Sequence, residues 1–358
     1  MLRRIAFVGV VIALSFSIEG CLEVRAPEAS LLPDGAAPNS SKLDKSWSQA
    51  LEENFDIVET FDELQPWRGR CGGNFYGKSS TPKHLDGSES IWTYYSCWSN
   101  STSGPAWIDD FGAGNQITGK SLIIDIGETA KGPSRLGLYF GDGTATSGYS
   151  DLYLFYRVRF PANEWPTQID STTKVGEYQA GDPFAYWFSW KFGAFNMGCT
   201  GMDANLQCDG AEPYSGMHIV PHIKRHGYGT MAGKLAIVAE PTGSTPYWAL
   251  GKEVQTERWL GVEFHYKLVV KNDQNVAVME TWLYDEDGTA YLAQAPVEHP
   301  YTPPAADQKF NFFFFGGNNS NSYLWGSSME SAYHVDDFII NGARIGPTYF
   351  QLASAILP

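Results

Sequence analysis

Imidazoles, cations and rings recur at even spacing in several stretches of this chain. His218, His222 and Lys224 form one such set, and Arg157 and Arg159 another. Trp259, Glu263, His265 and Lys267 form a third, and Glu280, Trp282 and Tyr284 a fourth. In an extended strand alternate side chains point to one side, so each set is a row on one face. A neutral imidazole, with an ordinary pKa of about 6.5, can take a proton near neutral pH. Guanidinium and ammonium groups pair with carboxylates, and Trp and Tyr rings stack on flat apolar faces. Rows laid side by side on a concave sheet would make a groove for a polymer of acidic sugars. His218 and His222 are the candidate bases, Arg157 the group that neutralises a carboxylate, and Tyr284 the acid. Trp187, Lys191, Trp259, Glu263, His265, Lys267 and Trp282 are the candidate substrate contacts. The alternative is plain: polar residues on the outer face of a half-buried sheet are usually just solvated.

Such rows need strands, and a period of two runs through most of the chain. Residues 55–61, 121–126, 135–140, 151–160, 184–192, 218–224, 235–239, 259–270 and 276–284 all carry it. Gly141-Asp142-Gly143 and Pro161 supply stops. Phe310 to Phe315 is apolar on both faces, as a central strand covered twice would be. His334 to Ile340 ends the series, and helical periodicity is nearly absent. These signals predict an all-β domain over residues 51–358, a two-sheet antiparallel β-sandwich or jelly roll, with order beginning near Asn54.

Three segments resemble the concanavalin A-like lectin/glucanase jelly rolls. The first is Arg258 to Leu268 followed, after a loop, by Glu280 to Gly288: a Trp-led strand and then a strand ending in an acidic-Gly turn. The second is Val335-Asp336-Asp337-Phe338-Ile339-Ile340 with Arg344-Ile345-Gly346-Pro347, similar to the closing strand of that group. The third is Gly119 to Leu122 leading to Asp151–Phe160, similar to its early strands. Within the group the jelly-roll polysaccharide lyases and similar secreted proteins are nearest. The fold hosts lectins, hydrolases and lyases alike, so activity must be read from the site. The two-carboxylate strand of a laminarinase-type glucanase is missing. The Gln-Ile-His or Gln-Val-His signature of alginate lyases is missing; the nearest stretch, Met217-His218-Ile219-Val220-Pro221-His222, has His but no Gln two residues before it. What the resemblance implies is a lyase that removes the C5 proton of a uronate with His218 or His222. Arg157 would neutralise the carboxylate, and Tyr284 would return a proton to the leaving oxygen. The alternative is a non-catalytic carbohydrate-binding, lectin-like protein using Trp187, Trp190, Trp259, Trp282 and the Gly316–Asn321 loop. A structural lipoprotein without a sugar site is a third possibility. The resemblance also implies a structural calcium ion near the terminal strands. Asp336 would be a ligand, with Asp56 or Glu59 nearby; the competing role for Asp336 is to cap a turn or to meet Arg344.

The amino terminus points to export. Arg3 and Arg4 precede an apolar run from Ile5 to Ile18 that is short for a membrane span. Ile18-Glu19-Gly20-Cys21 resembles a bacterial lipobox, which implies a signal peptide over residues 1–20 and lipidation at Cys21. An ordinary secretory signal is the alternative. Residues 21–50, with Pro27, Pro33 and Pro38, are expected to be a flexible tether. Of five cysteines, four remain: Cys71, Cys97, Cys199 and Cys208. An even remainder in an exported chain reads as two disulfides, and spacing favours Cys71–Cys97 and Cys199–Cys208 among three connectivities. The formal charge of −15 disfavours nucleic acid and acidic membranes as partners. The expected partner is a polysaccharide, with membrane contact only through the lipid, and the expected form is a monomer.

Overall fold

The computed structural model describes residues 46–69, 81–96, 106–109, 119–125, 134–160, 188–191, 194–200, 219–225, 235–241, 248–249, 257–300, 307–316, 319–320 and 332–357. The chain begins with α1 (Trp47–Glu52), followed by β1 (Ile57–Glu59), β2 (Trp67–Arg68), β3 (Tyr94–Ser96), β4 (Ala106–Asp109), β5 (Ser121–Asp125), β6 (Arg135–Tyr139) and β7 (Asp151–Arg159). Then come β8 (Phe188–Lys191), β9 (Ala194–Met197), β10 (Ile219–Arg225), β11 (Leu235–Pro241) and β12 (Trp248–Ala249). The last part holds β13 (Trp259–Lys271), β14 (Gln274–Tyr284), β15 (Ala290–Pro300), β16 (Phe310–Phe315), β17 (Asn319–Ser320), β18 (Ala332–Asn341) and α2 (Gly346–Ile356).

The strands form the expected two-sheet antiparallel sandwich. The first sheet runs β15-β14-β13-β7-β18-β5-β4-β2, with β1 also on β18. The second runs β12-β11-β10-β9-β16-β6-β3, with β8 on β10 and β17 on β8. Many neighbours are distant in sequence, because the chain crosses repeatedly between the sheets. Alternation decides what fills the space between them. On β13, Leu260, Val262, Phe264 and Tyr266 enter the core; on β7, Leu152, Leu154, Tyr156 and Val158 do. Phe195, Met197, Phe310, Phe313 and Phe315 meet them from the second sheet. All six residues of β16 are buried, as its two-faced apolar pattern predicted. β13 and β14 are joined by Asn272 and Asp273, both at positive φ (51° and 58°). This is the two-residue turn whose twist suits a hairpin, and it holds Lys271 opposite Gln274.

Two helices depart from the all-strand expectation. α1 starts at Ser46, whose hydroxyl accepts from the Gln49 amide at 3.3 Å. It therefore occupies the end of the stretch expected to be tether. The described residues begin at Ser46, and Trp47 packs edge-on against Tyr349 at 5.3 Å. α2 occupies the place expected to follow a closing strand. Pro stands in its first turn, where a missing N–H costs nothing. The two helices build a second, smaller core on the outer face of the first sheet. Trp47, Leu51, Phe155, Tyr284, Ile339, Ile345 and Tyr349 meet there. The first sheet is thus covered on both sides where the helices lie.

Candidate functional site

The residues expected to share one groove are divided between the two sheets. His222 and Lys191 stand on β10 and β8 of the second sheet. Arg157, Trp259, Glu263, His265, Lys267, Trp282, Tyr284 and Asp336 stand on β7, β13, β14 and β18 of the first. Sequence alternation placed the first-sheet rows correctly on a face opposite the core, but nothing local could say which strands are neighbours. His218 and Trp187 lie outside the described residues, as do Cys21, Cys71, Cys97 and Cys208. Cys199 is disulfide-bonded, and its partner also lies outside the described residues.

One end of the first-sheet rows is closed by α2. The Glu263 carboxylate is fully buried and accepts from the Ile345 amide at 2.6 Å, the Gly346 amide at 3.2 Å and the Tyr284 hydroxyl. It caps the start of α2 from a neighbouring strand, where Ile345 offers no side-chain cap. Arg344 donates to the Tyr284 oxygen at 3.2 Å, and its guanidinium lies 4.5 Å from the Trp282 ring. Burial pushes the Glu263 carboxyl above its usual range, and burial followed by the Glu263 charge pushes the Tyr284 hydroxyl far up. Arg157 is buried too. It donates to the Trp259 carbonyl at 3.1 Å and lies under Phe350 and Tyr349, at 5.1 and 5.8 Å. With α2 in place, Arg157 cannot reach a substrate carboxylate and Tyr284 cannot return a proton. The roles expected of Arg157, Tyr284, Trp259 and Glu263 are corrected to structural ones. The signal for the lid was present: Tyr349, Leu352, Ala353 and Ile356 fall at helical spacing behind Gly346-Pro347.

Two residues along β13 the picture changes. The His265 Nε2 is 2.7 Å from Asp151, and its Nδ1 is 2.8 Å from Glu280. Its ring stacks on Tyr153 at 4.0 Å, with Trp282 beyond at 6.3 Å. Lys267 donates to the other Asp151 oxygen at 2.7 Å. Burial pushes the Asp151 carboxyl up, but Lys267 and His265 together hold it below its usual range. Burial, then the Asp151 and Glu280 charges, push Tyr153 up to about 12. Both ring nitrogens are thus engaged by carboxylates of the protein itself. His265 and Lys267 therefore come together with Trp282 as expected, but in a network satisfied by the protein's own carboxylates. Glu280 stood in the fourth row without a role, and Asp151 and Tyr153 are members that sequence reasoning did not assign.

Among the described residues no ligand set for calcium gathers at Asp336. This residue stands opposite Arg157 and accepts from the Asp337 amide at 3.0 Å, which is the capping alternative. A bulge lies between Asp336 and Ile339, with Asp337 at φ 49°. It resets the alternation, so Asp337, which strict alternation would turn away from the face of Asp336, also reaches the helices. It accepts from Trp47 Nε1 at 2.9 Å and Tyr349 Oη at 2.5 Å. Burial raises its pKa to about 6 against the pull of Tyr349, Trp47 and Arg157. Asp56 accepts from the Gly342 amide and the Tyr149 hydroxyl, both at 3.1 Å, and Glu59 from the Phe61 amide at 2.8 Å. Among the described residues no three His, Cys, Asp or Glu side chains converge as a metal site.

On the second sheet the backbone brings candidates into register. His222 pairs with Lys191 across β10 and β8, and Lys224 pairs with Ser189. Toward β16 and β6, Arg135 lies 4.8 Å from the Phe314 ring, and Tyr94 meets Phe312 edge-on at 5.8 Å.

No family model and no curated protein matches the chain. Solved structures similar to it include the PL-14 alginate lyase from Aplysia kurodai, at 12% identity and a TM-score of 0.33, over 58% of this chain and 82% of that one. An alginate lyase from Chlorella virus is similar at 12% identity and 0.34, over 65% and 91%. Basic winged bean lectin is similar at 9% identity and 0.33, over 79% and 97%.

Proposed function

We propose that the protein is an exported, lipid-anchored, polysaccharide-active protein whose working face is the outer face of the second sheet around β8 and β10. The pairing of His222 with Lys191 carries this reading. The register puts a histidine position opposite a lysine position on the second sheet, whereas α1 and α2 cover the first. A lyase needs that pair. Lys191 neutralises the carboxylate of a uronate and makes its C5 proton more acidic. Neutral His222 takes that proton; the electron pair forms the C4–C5 double bond, the C4–O4 bond breaks, and the leaving oxygen is protonated. The formal charge of −15 still permits an anionic ligand, since a local cation outweighs a screened distant field. Export and lipidation rest on the Cys21 segment, and the disulfide at Cys199 suits an oxidising compartment.

The test is to incubate the protein with alginate, glucuronan and related uronates and follow the ultraviolet absorbance of the unsaturated product. Cleavage that His222→Ala abolishes is expected, and no cleavage of any uronate overturns the lyase reading. One observation favours the second reading, a non-catalytic carbohydrate-binding lipoprotein: Arg157 and Tyr284, half of the expected catalytic set, are covered by α2. Glycan binding unaffected by His218→Ala with His222→Ala, in a protein without turnover, selects it.

A further inference from the structure

The register of the first sheet ties Arg68 to Trp107, Trp107 to Ile123, Ile123 to His334, His334 to Arg159 and Arg159 to Trp259. Paired positions share a face, so one row of cations and rings crosses the sheet from β2 to β13. Its inner members are closed: Ile123, His334 and Trp259 are buried, and Arg159 is paired with Glu257. The β2 end is different. Arg68 is exposed and Trp107 is half-buried. With Pro66, Trp67, Ile108 and Asp109 they line a cleft of about 390 Å³, which lies within the range of small-molecule sites. The Arg68 guanidinium is 5.5 Å from the Trp107 ring. Among the described residues no hydrogen bond or ion pair engages it. The floor is firm. Trp67 turns to the other face and packs edge-on against Tyr95 at 5.0 Å, and the Gly69 amide donates to the Ala106 carbonyl at 2.7 Å.

We propose that this cleft is a second glycan subsite that holds one uronate residue of a polysaccharide chain. The inference rests on the polysaccharide reading above but not on His222 or on turnover. Arg68 supplies a planar fork that matches a carboxylate through two parallel N–H donors, as a lysine could not. Trp107 supplies a flat ring for the sugar face. The cleft belongs to the β2 end of the first sheet, whereas β8 and β10 belong to the second. It therefore retains a polymer rather than cutting it.

The test is calorimetric titration of the full chain, in a Lys191→Ala, His222→Ala background, with a glucuronic acid tetramer and with the same tetramer after reduction of its carboxyl groups. The charged tetramer is expected to bind about tenfold more tightly than the reduced one. Arg68→Ala should erase that difference, with Arg68→Lys between the two, and Trp107→Ala should weaken both ligands. Unchanged affinities in Arg68→Ala, in a protein with wild-type circular dichroism, overturn the cleft; so does equal binding of both tetramers by the parent. The exposed position of Arg68 keeps this arm informative even where Trp107→Ala folds poorly. The two readings fail separately. An Arg68-dependent preference in a protein that cleaves no uronate removes the lyase and keeps the subsite. Cleavage with no Arg68 dependence does the reverse.

Discussion

Glu263 and His265 are two residues apart on one face of β13, and both are buried. Glu263 is sealed beneath the start of α2 and holds three donors, two of them main-chain amides of another element. His265 lies beyond the helix, between Asp151 and Glu280, which are partly exposed. The same strand and the same parity thus give a carboxylate that fastens the fold and an imidazole in a network at the rim. Depth makes the difference. Removing one partner from a buried, multiply bonded charge leaves the others unpaired, whereas water can replace a partner at the rim. A row read from sequence is a list of neighbours on a face, and what it does depends on what covers it.

Glu263→Ala should show the largest effect, a loss of about 3–5 kcal/mol in urea unfolding, because two amides and a buried hydroxyl lose their acceptor. A change below about 1 kcal/mol would mean that α2 is fastened otherwise.

The next effect depends on pH. Asp337 carries a folded pKa of about 6 against an ordinary 3.8. A raised carboxyl pKa means that the folded state prefers the protonated form. Its contribution is fully present below about pH 3.8 and is lost as pH rises through about 6, by roughly 3 kcal/mol. Glu59, raised by burial from 4.5 to about 8, acts with the same sign over a higher window. The melting midpoint of the wild type should fall from pH 5 to pH 8, and Asp337→Asn should flatten the lower part of that slope. A midpoint rising over this range would contradict the burial of both acids.

His265→Ala should cost less, about 1–2 kcal/mol, since Asp151 and Glu280 regain water. A loss as large as that of Glu263→Ala would erase the contrast between the two ends. Lys267→Met, at an exposed ion pair with Asp151, should leave the unfolding midpoint unchanged at physiological salt. A measurable shift would show that the rim network acts as a unit.

Strand positions and facing were legible because a period of two is a local property. Leu260, Val262, Phe264 and Tyr266 had to lie opposite Glu263, His265 and Lys267 in any sheet, and the run of five phenylalanines and Asn311 in β16 had to be central. The turn at Asn272-Asp273 and the closing role of β18 follow from equally local chemistry. The exception within a strand was Asp337, where one residue at positive φ shifted the parity of everything after it. Only the tertiary structure decided that β10 and β7 belong to different sheets, which divides His222 from Arg157. It also decided that α1 and α2 meet over the first sheet through Trp47 and Tyr349, which turns Arg157 and Tyr284 from candidate catalysts into supports. The physical reason is range. Alternation is dictated by backbone geometry within a few residues, whereas strand order and helix docking are settled by which apolar faces bury each other across long stretches of chain, as between Trp47 and Tyr349.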